Sequence, residues 1–100
     1  MMVLKEREGL VELLRLAADE MLARGETPIL SDFETCAALG SFIREAAAQV
    51  QAGDDRSSTR LWDIFAPTCE WDDARGSQDV ANAIFKIIDL VWRPNRGGER

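Results

Sequence analysis

The sequence predicts an all-α fold, a four-helix domain with two long helices, one short one and an apolar C-terminal one. Three observations predict it. Apolar residues recur at spacings of three and four over long stretches, strict alternation is absent, and Gly, Pro and Ser separate the periodic segments. At 100 residues with 46% hydrophobic content, the chain has the length and apolar content of one ordinary domain, placed at residues 1–93.

The first helix is expected from about Val3 to Arg24. Lys5, Glu8, Glu12, Arg15 and Asp19 form one solvated stripe, while Leu10, Leu13, Leu14, Ala17 and Met21 line the opposite side. Gly9 weakens its early turns, Glu20 and Arg24 form an i,i+4 pair, and Gly25 suits a left-handed C-terminal cap. Pro28 marks an extended link. Ser31 followed by Glu34 matches a capping box and sets the expected start of the second helix. That helix carries Phe33, Cys36, Gly40, Ile43, Ala47 and Val50 on one stripe, small enough at Gly40 and Ala47 for a neighbouring helix to come close. Core packing explains this stripe better than a dimerisation seam, because six positions are too few for a coiled coil.

Gly53 to Ser58 is a polar loop, and a short helix is expected from Thr59 to Phe65, closed by Pro67. The segment from Thr68 to Gly76 is expected to be a loop with its own aromatic residue, Trp71. Ser77 caps the last helix, with Asp79 in its first turn. Asn82, Lys86, Asp89 and Arg93 form a narrow polar stripe, and almost everything else from Val80 to Trp92 is apolar. Such a helix is packed on two sides or shared with a second subunit, so a homodimer through residues 80–92 is one expectation. Arg93-Pro94 stops the helix, and 94–100 is expected to be a disordered basic tail.

Composition narrows function mainly by exclusion. With no histidine, a His general base, a Ser-His or Cys-His pair and any imidazole-bound zinc are excluded. Two cysteines cannot make a four-thiolate site. No Gly-rich phosphate loop, serine elbow or HExxH helix occurs, so no enzyme, cofactor or metal site is expected. The net charge is −6, which disfavours direct nucleic-acid binding, and the chain lacks the basic amphipathic pattern of a membrane-surface helix. The N-terminus has charge where a signal peptide needs an apolar core, which leads to a cytoplasmic expectation with Cys36 and Cys69 reduced.

The negative charge is densest at residues 63–79, where Asp63, Glu70, Asp72, Asp73 and Asp79 face Arg75 alone. Three carboxylates so close repel one another unless a cation compensates, yet the spacing lacks the pattern of a calcium loop. Two readings of Trp71 follow. Either it is an exposed apolar anchor ringed by carboxylates, or it folds back over the core while the aspartates cap helix ends. The first makes Asp63, Glu70, Trp71, Asp72, Asp73 and Asp79 the candidate partner interface. The expected function is then an acidic protein-binding domain, in the manner of an immunity protein or antitoxin, that occludes a basic partner protein. The alternatives are a homodimeric structural or regulatory module without catalytic activity, and a carboxylate-metal enzyme.

Overall fold

Five helices make up the regular structure of the described residues: α1 (Leu4–Arg24), α2 (Cys36–Gln51), α3 (Ser58–Phe65), α4 (Glu70–Asp73) and α5 (Gln78–Val91). The structure, a computed structural model, describes residues 4–29, 33–66 and 70–91. Among these there is no strand, and the all-α expectation holds. The four-helix count is approximate, because the segment expected as a loop contains the single-turn α4. The proposed tail at 94–100, together with Trp92, Arg93 and Cys69, lies outside the described residues.

α1 packs most extensively on α2 and also lies against α5, while α3 touches both α4 and α5. The inner stripe of α1 is buried as its periodicity implies, with Leu10, Leu14, Ala17, Ala18 and Met21 removed from solvent. α1 runs through Gly9 without interruption. Gly25 then takes the left-handed cap, with φ +63° and its N–H on the Leu22 carbonyl at 3.1 Å. At Gly40 α1 and α2 come close. A Cβ there would lie 2.9 Å from the Ala18 carbonyl oxygen and 3.0 Å from the Leu22 backbone nitrogen. The small middle of the second stripe thus serves core packing. Cys36 at the head of the same stripe is fully buried.

The start of α2 differs from expectation. Thr35, not Ser31, is the N-cap, and its side chain accepts from Ala38 N–H at 3.2 Å. The preceding link folds back on itself. Pro28 bridges Thr35, Ile29 N–H reaches the Glu34 carbonyl at 2.9 Å, and Glu34 adopts φ +69°. The Cys36 and Ala37 N–H groups, orphaned at a helix start, donate to the Thr27 and Gly25 carbonyls at 2.9 and 2.8 Å. Those tertiary acceptors fix the N-cap four residues after the serine; Ser31 and Asp32 are outside the described residues.

Loop residues Asp54 to Ser57 are held by an Asp54–Arg56 ion pair at 2.7 Å and by a Ser57 hydroxyl donating to Gln49. α3 begins one residue earlier than expected, and Ala66 closes it with ψ 152°, the extended conformation favoured before Pro67. In α5, Ala81, Ile84 and Ile88 are buried, Phe85 packs on Trp62 at 5.0 Å between ring centroids, and Asn82 and Lys86 are exposed. All five helices contribute to one contiguous buried cluster, α4 through Trp71.

Candidate interaction surfaces

Of the described carboxylates in the acidic segment around Trp71, Glu70 and Asp72 have partners within the fold, and the flanking Asp63 and Asp79 are exposed. Glu70 meets Arg60 through both carboxylate oxygens: Nη1 donates to Oε1, and Nη2 donates to Oε2 at 3.0 Å. The pair is largely withdrawn from water, with 31% of the Arg60 side chain and 16% of the Glu70 side chain exposed. The same guanidinium lies over the Phe33 ring, 4.7 Å from its centroid, so one cation satisfies a carboxylate and covers an aromatic face. Asp72 Oδ1 accepts from the Gln78 side-chain amide at 2.8 Å. The Glu70 and Asp72 carboxylates therefore have different partners. Among the described residues no three Asp, Glu or Cys side chains gather as a metal would require.

Trp71 is 1% exposed, which overturns its placement as an exposed anchor. Its indole stacks beside Phe65 at 5.1 Å, and Nε1–H donates to the Ser77 carbonyl at 2.9 Å. Gly76 lies directly beneath the ring. A Cβ at that position would overlap indole atoms Cε2 and Cζ2 and sit 2.5 Å from Nε1. Arg75, with φ +59°, turns the chain so that Gly76 N–H reaches the Trp71 carbonyl at 3.1 Å. The fold-back reading of this tryptophan is the one that holds. Burying a large aromatic whose single polar atom has a backbone acceptor gains its apolar area without leaving an unsatisfied donor.

The turn after α4 is also clasped from α1. Arg24 donates to the Ala74 carbonyl at 2.6 Å and to Glu20 at 2.9 Å, and the same Glu20 oxygen accepts Ser77 N–H at 2.9 Å. The i,i+4 pair read from the sequence is thus half of a four-residue bridge. Its other half lies 50 and 57 residues away, out of reach of any local pattern. Of the six candidate interface residues, then, Glu70, Trp71 and Asp72 are engaged internally. Asp63 and Asp79 are exposed on α3 and α5, and the Asp73 side chain is outside the described set.

A different surface is left open. Leu90 of α5 is 73% exposed and Leu16 of α1 is 54% exposed, the two large apolar side chains most open to water among the described residues. On α5, Val80, Ala83, Ile87 and Leu90 follow one another at intervals of three, four and three, which places them on one shoulder of the helix. Val80, Ala83 and Ile87 are half-buried, so the shoulder lies beside the core face of Ala81, Ile84 and Ile88 and is most exposed at Leu90. Asp79 and Lys86, seven residues apart and both exposed, border it along one edge. The breadth of the apolar surface on this helix was the sequence signal for the shoulder. No described helix is long and apolar enough to cross a membrane. Compared with family models, curated proteins and solved structures, the chain matches none.

Proposed function

We propose that the chain is a small, acidic, non-catalytic protein-binding domain whose contact surface is the outer shoulder of α5. The observation that carries this is Leu90, 73% exposed at the end of a stripe completed by Val80, Ala83 and Ile87. A leucine so placed gains by being covered: full burial of such a side chain is worth about 1.5–3 kcal/mol. Docking another protein on the shoulder would supply that cover.

A second reading is supported by charge. At −6 overall, with Asp63 and Asp79 directed outward, the domain would be drawn to a basic protein, and those carboxylates would occupy a cationic cleft as an immunity protein or antitoxin does. This occlusion would act without Trp71, which is sealed inside, and without Glu70, which already neutralises Arg60. A cytoplasmic location fits both readings.

The test is affinity capture from native lysate with the unaltered chain, Leu90→Asp, and the double variant Asp63→Lys/Asp79→Lys. The shoulder reading requires an identified binding protein that Leu90→Asp loses. The occlusion reading requires a basic protein that the double variant loses and that is shed as salt rises. Retention of every captured protein by both variants overturns the two together.

A further inference from the structure

We propose that the protein docked on the α5 shoulder is a second copy of this chain, with the two α5 helices antiparallel. The inference rests on the shoulder being a docking surface and adds the identity and direction of what docks there. A two-fold contact must be self-complementary: each group has to meet its counterpart from the other copy. The shoulder and its border meet that condition. Val80, Ala83, Ile87 and Leu90 repeat with heptad spacing, and Asp79 and Lys86 occupy the same flanking position one heptad apart.

When two such helices run antiparallel about a two-fold axis, the same flanking edge of each faces the other. An axis passing close to Ala83 then sets Asp79 opposite Lys86 of the second copy and Lys86 opposite its Asp79. In a parallel arrangement the edge bearing Asp79 and Lys86 would face the opposite edge of the second copy, so neither charge would meet its counterpart. The small Ala83 side chain at the crossing lets the helices come close, and in this register Leu90 falls opposite the turn at Arg75 that leads into α5 of the second copy. Neither Asp79 nor Lys86 is engaged in an ion pair among the described residues, so both are available. The −6 charge of each copy opposes association. Screening beyond ~8 Å at physiological ionic strength limits that repulsion, while the two short-range pairs act inside that distance.

The experiment is sedimentation equilibrium on the unaltered chain, Asp79→Lys, Lys86→Asp, the double swap Asp79→Lys/Lys86→Asp, and Leu90→Asp, with far-ultraviolet circular dichroism on each. The unaltered chain should dimerise. Each single swap replaces two attractions with two repulsions and should raise the dissociation constant about tenfold, given the modest strength of exposed pairs. The double swap should return it to within about twofold of the starting value, and all variants should keep the helical spectrum because both side chains are exposed. A folded but monomeric unaltered chain overturns the proposal, as does a double swap no better than the single ones. If the unaltered chain is monomeric while Leu90→Asp still loses a captured protein, the docking surface stands and the second copy is wrong. If Leu90→Asp alters neither self-association nor capture, the docking surface itself is wrong.

Discussion

Replacing Gly76 with alanine tests whether the acidic segment is a structural plug. The glycine φ is ordinary, so an alanine backbone is unstrained there and the effect comes from space alone. The new methyl group would overlap two indole atoms of Trp71, and the ring must move because its other side is held by Phe65. Overpacking of a filled core costs about 1–3 kcal/mol. Displacing the ring also stretches the Nε1–Ser77 hydrogen bond, worth about 1 kcal/mol. A loss of about 2–4 kcal/mol follows, large against the total stability of a small domain, about 5–15 kcal/mol. Urea unfolding followed by circular dichroism measures it. A double-mutant cycle separates the clash from any effect on the unfolded chain. Trp71→Phe removes the atoms that overlap, so Gly76→Ala should cost at least about 1 kcal/mol less in the Trp71→Phe background than in the unaltered chain. If Gly76→Ala changes stability by less than about 0.5 kcal/mol, or costs the same in both backgrounds, Trp71 is not seated on Gly76 and the burial argument fails.

Three further substitutions probe the helices. Gly40→Ala should destabilise by about 1–3 kcal/mol in thermal or urea unfolding, because its methyl group meets the backbone of α1 and not merely a movable side chain. Gly9→Ala should do the reverse and stabilise by up to about 1 kcal/mol, since nothing lies within 4 Å of the new atom and α1 is continuous there; a loss of stability would mean that the early turns are not helical. Thr35→Ala should cost about 1 kcal/mol and leave the helix content of the native state unchanged, whereas Ser31→Ala should cost less, an order that reverses if the serine is the true cap.

Sequence periodicity located the three principal helices well, because burial of one face is a local pattern: the inner stripes of α1 and α2 are the buried ones, and Asn82 and Lys86 of the polar stripe of α5 are exposed. The close approach at Gly40 was legible for the same reason. The candidate site was not. Three acidic neighbours left both an exposed and a folded-back Trp71 open; its position is decided by Phe65, Gly76 and the Ser77 carbonyl, and that of Glu70 by Arg60. Arg60 lies ten residues upstream in another helix, where the local spacing offers Asp63 and not Glu70 as its charge partner. The α2 cap misled for a related reason. Ser31 and Thr35 offer the same hydroxyl chemistry, and the choice between them falls to the Thr27 and Gly25 carbonyls folded against the helix start. Leu90 shows the converse: the excess apolar surface of α5 was visible, but which residue would be left uncovered was not.

The bridge from Glu20 and Arg24 to Ala74 and Ser77 has a consequence for the order in which the chain acquires its structure. α1 and α2 are neighbours in sequence and can pair as soon as both have left the ribosome, since their contact closes only a short loop. At that moment the carboxylate and guanidinium at the end of α1 have only each other and water. About fifty residues of synthesis separate the first helix from the backbone groups that complete the bridge, so the nascent chain passes through a stage with a formed helical hairpin and an open flank. Stalling translation before residue 74 should leave that flank sensitive to protease, and release beyond α5 should close it.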